Sequence, residues 1–141
     1  MIVIIRIAGM VKVRAKTEET LTRIRLRRKY SCTILDESKE EINGMVKKVK
    51  DLVAYGNINE DTLVKLVKHR GKMQDKTEIT EEKAKEIAKK IIEKKSIQET
   101  GLKPFFRLHP PRKGIKSKLA YPKGVLGNHK ENINRLVERM L

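Results

Sequence analysis

The chain has 141 residues, and its 34 lysines and arginines against 18 acidic residues give a formal net charge of +16. This length fits one compact domain, or a small domain with an appendage, and excludes two large domains. The charge favours a polyanionic partner, for which nucleic acid, an anionic membrane surface and an acidic protein are the candidates.

The chain opens with an almost unbroken run of β-branched residues from position 2 to 7. Such a run predicts a strand that is buried on both faces and central in its sheet. The apolar stretch 1–5 stops at Arg6 and is too short for a signal sequence or a membrane span. We therefore expect a soluble, intracellular protein.

Two helices and two more strands are predicted up to residue 57. A helix is expected over 17–25, with Glu18 and Glu19 in its first turn, and a strand over 30–36. Ser38 and Glu41 form a capping-box pattern that predicts a second helix. A third strand over 52–55 should stop at Gly56, which completes a β-α-β-α-β unit.

The remainder of the chain is predicted to form a C-terminal subdomain, residues 58–141, behind a core of residues 1–57. Its apolar periodicity predicts helices at about 59–70, 80–95 and 129–140. Residues 103–123 form an irregular basic segment that contains all four prolines. The single cysteine, Cys32, has no disulfide partner and is interpreted as a small buried strand residue.

The positive charge is concentrated at the two ends of the sequence. The net charge is +7 over residues 1–31, +1 over 32–99 and +8 over 100–141, and there is no acidic residue from 100 to 130. A fold that brings the two ends together would create one cationic face. Electrostatic attraction would then be focused on that face.

No pattern of catalytic residues is persuasive. Residues 114–117 are similar to the end of a phosphate-binding loop, but the glycine that should precede Lys116 is missing. The three histidines, at 69, 109 and 129, have no metal-ligand spacing. The sequence therefore predicts no enzyme and no metal site.

Two basic segments point to nucleic acid instead. The first is a cluster of five cations at the end of the first helix. Stabilisation of the helix dipole would explain some of them. Five cations are more than the dipole requires, so contact with phosphate groups is favoured. The second is the segment 103–123, whose cations are interleaved with Phe105, Phe106 and Tyr121. This pattern fits a segment that becomes ordered along a phosphate backbone while its aromatic rings stack on bases. A flexible linker is the alternative. The two phenylalanines are interpreted mainly as anchors to the protein core.

The residue pattern separates RNA from DNA poorly. No helix carries the concentrated polar face of a helix-turn-helix, and the aromatic-rich sheet motif of the common single-strand RNA reader is missing. Binding by shape and phosphate contact is expected. A membrane is disfavoured because the basic strip is not an amphipathic helix.

Five segments together resemble a known family: IRIAG at 5–9, LRRKY at 26–30, GMVKKVKDLVAY at 44–55, KPFFRLHPPR at 103–112 and INRLVERM at 133–140. They resemble the large-subunit ribosomal protein family L-thirty in its longer archaeal form, whose eukaryotic counterpart is L-seven. The resemblance covers essentially the whole chain.

That resemblance implies an α+β fold: a ferredoxin-like β-α-β-α-β core with a three-stranded antiparallel sheet and its first strand in the centre. It also implies a non-catalytic role, without a cofactor, in holding large ribosomal RNA within cytoplasmic ribosomes. The expected neighbours are 5S rRNA and other ribosomal proteins, and no homo-oligomer is expected. Longer relatives usually have Pro-Arg-Gly-Gly where this chain has Pro-Arg-Lys-Gly at 111–114. A different local turn, and an added phosphate contact from Lys113, are therefore expected.

We thus expect a structural ribosomal protein, with a free-standing DNA- or RNA-binding protein as the alternative. The residues expected to contact RNA are Arg14, Lys16, Arg23, Arg25, Arg27, Arg28, Lys29, Lys103, Arg107, Arg112, Lys113, Lys116, Lys118 and Lys123.

Overall fold

The sheet is built around the first strand. The structure is a computed structural model that describes residues 1–75, 77, 79–94, 97 and 100–141. Strand β1 (Ile2–Arg6) lies between β2 (Ser31–Leu35) and β3 (Val53–Asn57). Both neighbours run antiparallel to it, with Ile4 opposite Thr33 on one side and Tyr55 on the other. The predicted α+β core with a central first strand is confirmed.

The sheet has five strands rather than the three expected. Strand β4 (Phe106–Arg107) pairs antiparallel with β2, and β5 (Gly127–Asn128) pairs parallel with β3, so the order is β4-β2-β1-β3-β5. Each added strand has only two residues and lies in or just beyond the irregular basic segment, so it has no periodicity to predict it. Both serve to pair the edges of the inner strands, whose N–H and C=O groups need partners.

Two layers of helices cover the two faces of the sheet. On one face, Ile2 and Ile4 pack in a cluster with Leu21 of helix α1 (Ala15–Arg23) and with Val46 of α2 (Glu40–Val49). The cluster on the other face contains Val3, Ile5 and residues from α3 (Glu60–Arg70), α4 (Glu81–Lys94) and α5 (Ile133–Met140). Strand β1 is thus buried on both faces, as predicted.

The later helices lie close to their predicted positions. Helix α5 is preceded by a 3-10 turn, Lys130–Asn132, and residue 95, the predicted end of the α4 helix, lies outside the described residues. The division at residue 57 stays a prediction; residues 58–141 supply β4, β5 and the helices of the second layer to the same sheet.

Several predicted boundaries were wrong. Helix α1 covers Ala15–Arg23 rather than the predicted 17–25, so it begins and ends two residues earlier. Helix α2 begins at Glu40 with Lys39 at its N-cap, rather than at the capping-box Ser38. The N–H of Ser38 donates to Oδ1 of Asp36 at 3.0 Å, and this turn places Ser38 ahead of the helix,. Strand β3 runs on through Gly56, where a Cβ atom would lie 2.1 Å from the carbonyl oxygen of Lys130. The glycine marks a close approach of two backbones and not the end of a strand.

Among the described residues, no helix has the length and apolarity needed to cross a membrane.

Candidate nucleic-acid interface

The end of α1 is shaped to expose arginines. Arg25 has a left-handed backbone, with φ of 62°. The N–H of Leu26 donates to Leu21 O at 2.8 Å, and that of Arg25 donates to Thr22 O at 3.0 Å. These are the two bonds of a Schellman motif, which normally has glycine at the left-handed position. The motif turns Leu26 back into the core beside Leu21 and leaves Arg25 exposed.

A buried arginine holds the loops on either side of this turn. Arg6, at the end of β1, is only 1% exposed. Its Nη1 donates to Leu26 O at 2.8 Å and to Arg27 O at 3.0 Å, and its other nitrogens donate to Ala8 O and Gly9 O. Burial lowers the pKa of Arg6, and the charge of Glu18 opposes that effect. Arg6 therefore fixes the chain from which the exposed arginines project.

These arginines meet a further one from the C-terminal part of the chain. Pairing of β4 with β2 sets Arg107 opposite Ser31. The result is a groove of about 560 Å³, also lined by Phe105, which we call the arginine groove. Its arginines are Arg23, Arg25, Arg27, Arg28 and Arg107. One of them is already paired, because Arg23 donates to Glu19 at 2.6 Å on the exposed face of α1.

A second basic concavity, the C-terminal cavity, has a volume of about 570 Å³ and lies between residues 113–125 and α5. Lys113, Lys116 and Lys123 line it from the loop, and Arg135 and Arg139 line it from the helix. The two arginines were missing from the predicted set. Their spacing of four residues, off the buried stripe of α5, is the signal that would have found them.

Arg139 also shapes the loop that forms this cavity. Its guanidinium donates to Arg112 O at 2.7 Å and to Gly114 O at 2.8 Å. The N–H of Gly114 donates to Pro111 O at 3.0 Å, and Lys113 has a φ of 66°. A positive φ at the third residue is the mark of a type II turn, where glycine is usual. Lys113 thus holds a backbone conformation that normally belongs to glycine.

The predicted contact residues fall into three groups. All are exposed except Lys103, which is half-buried. The arginine groove collects five of them and the C-terminal cavity collects Lys113, Lys116 and Lys123. The structure does not bring the others into either concavity: Arg14, Lys16, Lys29, Lys103, Arg112 and Lys118.

Within the described part of the chain no group of three histidine, cysteine, aspartate or glutamate side chains is arranged to hold a metal ion. Cys32 is fully buried, as predicted, and burial raises the pKa of its thiol, which makes it a poor nucleophile,. What the two concavities offer chemically is fixed positive charge, which suits phosphate groups.

Comparison with known proteins gives a consistent result. The family model for Ribosomal protein L30p/L7e matches residues 2–53. The chain is 43% identical to "Large ribosomal subunit protein uL30" of Archaeoglobus fulgidus, over 99% of both chains. It is 40% identical to the protein of that name from Methanocella arvoryzae, again over 99% of both, and 39% identical to the one from Methanococcus maripaludis, over 98% of this chain and 97% of the other.

Proposed function

Since the chain belongs to the ribosomal protein L30p/L7e family, whose members here are proteins of the large ribosomal subunit, we propose that it holds folded ribosomal RNA through the arginine groove and the C-terminal cavity. The family is one of structural proteins in cytoplasmic ribosomes and not of enzymes. We therefore propose that the chain positions RNA without turnover.

The observation that carries the RNA-binding proposal is the convergence of two distant basic segments. Arg25, Arg27 and Arg28 come from the loop after α1, and Arg107 comes from a strand about eighty residues later in the sequence. Strand pairing brings them to one groove. Each guanidinium can bridge two phosphate oxygens, so a groove of this kind fits the closely spaced phosphates of folded RNA.

Phosphate contact predicts shape recognition rather than base reading at this groove. The deep major groove of A-form RNA is closed to side chains, so a protein that binds duplex RNA contacts mainly phosphates and 2′-hydroxyls. As further partners we propose 5S rRNA in the vicinity and neighbouring proteins of the subunit. The family resemblance supports these two.

Salt dependence tests the proposal. The double variant Arg27→Ala, Arg28→Ala should bind ribosomal RNA fragments more weakly, and its slope of log K against log salt should flatten by about 0.7–0.9 for each lost phosphate contact. The matched control is Lys89→Ala, Lys90→Ala, which removes the same charge from the exposed face of α4. An unchanged slope in the arginine variant, or an equal change in the control, would contradict the assignment.

Sedimentation tests the assembled context. The protein should move with the large subunit on a sucrose gradient through a wash at moderately raised salt. Recovery at the top of the gradient, or with chromosomal DNA, would favour a free-standing nucleic-acid-binding protein instead.

A further inference from the structure

Tyr121 is an exposed aromatic ring held in a fixed position in the C-terminal cavity. It is 37% exposed and is one of five large apolar side chains at the surface among the described residues. Its ring centroid lies 4.3 Å from that of His129. Its hydroxyl accepts a hydrogen bond from Nδ2 of Asn132 at 2.8 Å. Contacts at the ring and at the hydroxyl together restrict rotation of the side chain.

The partner of this ring is anchored to the sheet. His129 is only 6% exposed, its Nε2 lies 2.7 Å from Val125 O, and its backbone N–H donates to Tyr55 O of β3 at 2.8 Å. Tyr121 therefore packs against a residue that is anchored to the sheet. Such preorganisation lowers the entropy cost of binding a flat ligand.

The surroundings of Tyr121 are basic. Exposed Lys116, Lys123 and Arg135 line the same cavity. No acidic residue lines it in the part of the chain that the structure describes. An aromatic ring among cations is the combination with which proteins bind single-stranded nucleic acid: bases stack on the ring and cations contact the backbone.

We propose that the C-terminal cavity binds an unpaired RNA nucleotide, with its base stacked on Tyr121 and its flanking phosphates contacted by Lys116, Lys123 and Arg135. The inference rests on the proposed RNA-binding function and adds to it a second kind of contact. Bases in a duplex are stacked on one another and cannot reach a ring, so the occupant must come from a loop, a bulge or a strand end. The aromatic residue that lines the arginine groove, Phe105, is half-buried, whereas Tyr121 is exposed.

The experiment compares two RNA probes on three forms of the full chain: wild type, Tyr121→Ala and Tyr121→Phe. The probes are a short single-stranded RNA and a blunt duplex RNA of equal charge. Loss of one stacked base should weaken single-strand binding of Tyr121→Ala by about 5- to 100-fold. Duplex binding should stay the same, and Tyr121→Phe, which keeps the ring, should bind single strands nearly as well as wild type.

The outcomes separate the two proposals. An equal loss of affinity for both probes in Tyr121→Ala would show that the ring only supports the loop. No loss of affinity for the single strand would leave the cavity as a surface for a neighbouring protein. Either result overturns base stacking while RNA binding stands. Failure of the wild type to bind either RNA overturns both. A 2-aminopurine placed in the single strand should be quenched by wild type and by Tyr121→Phe, and not by Tyr121→Ala.

Discussion

Lys113 stands at a backbone position that suits glycine. A left-handed conformation costs a residue with a Cβ atom about 1–2 kcal/mol, although glycine loses part of that advantage through its greater entropy in the unfolded chain. Lys113→Gly should therefore raise the free energy of unfolding by up to about 1 kcal/mol, measured in urea. The same change should weaken RNA binding, because it removes a cation from the C-terminal cavity.

A lysine in the same loop provides the control. Lys118 is exposed and has no positive φ. Lys118→Gly should therefore destabilise slightly or have no effect on unfolding. If both glycine variants stabilise the protein equally, backbone strain at Lys113 is not the cause.

His129 makes the stability of the fold depend on pH. Burial lowers the pKa of His129 below its usual 6.5, and the hydrogen bond with the Val125 carbonyl only partly opposes this. The folded state thus binds the proton less readily than the unfolded state. The stability is fully present above about pH 6.5 and is lost as the pH falls through the lower pKa of the folded state.

Replacement of His129 tests this dependence. Urea unfolding of wild type should show a loss of stability as the pH falls below about 6.5, and this loss should be smaller in His129→Gln. His109→Gln, at an exposed site, should keep the wild-type dependence. Parallel pH profiles for wild type and His129→Gln would refute the role of this histidine.

Some residues could be predicted from the sequence and others could not. Cys32 was predicted to be buried because its strand alternates, and the arginines after α1 because their charge exceeds what a helix end needs. Arg6 was interpreted only as the end of an apolar run, although four backbone carbonyls surround its side chain. Those carbonyls belong to two separate loops, and local sequence does not reveal such a meeting.

At the scale of elements, α5 caps the start of α3. Oδ1 of Asn134 accepts from the N–H of Asn59 at 3.0 Å, and Nδ2 donates to Asn57 O at 3.0 Å and Glu131 O at 2.7 Å. The side chain of Asn59, although it is the N-cap residue, makes no capping bond. A residue 75 positions further along thus satisfies the backbone at the β3–α3 junction.

Asn134→Ala should destabilise the protein by about 1–3 kcal/mol, because it leaves polar backbone groups at this junction without their partner. The matched control is Asn132→Ala, which removes an exposed amide bonded to Tyr121 and should cost less than about 1 kcal/mol. Urea midpoints measure both. Equal small losses would show that water replaces Asn134 at the junction.

Whether the sequence could predict an element depended on the length of its apolar pattern. Strand β1 has an almost unbroken run of β-branched residues, and the helices have apolar residues that repeat with a helical period, so the sequence predicted them. Strands β4 and β5 have two residues each and exist because the edges of β2 and β3 need partners,. The concavities depend on those strands, which is why the sequence predicted many of their cations but not how they are grouped.

At the scale of the whole molecule, the second helix layer covers a sheet face that is too apolar to be left in water. Val3, Ile5, Ile34 and Ala54 on that face are each at most 3% exposed in the full chain. A fragment of residues 1–57 would expose them and would also leave the outer edges of β2 and β3 unpaired. Large exposed apolar patches and open strand edges both promote association.

We therefore expect the 1–57 fragment to aggregate or to remain partly folded, and we expect the full chain to be monomeric. Size exclusion and circular dichroism would measure both. If the apolar face is the cause, the fragment with Val3→Thr and Ile5→Thr should be more soluble, since both changes place hydroxyls on the uncovered face. A monomeric, cooperatively unfolding fragment of unmodified sequence would show instead that residues 1–57 form an independent domain. The second helix layer would then stabilise the chain without being required for the fold of its core.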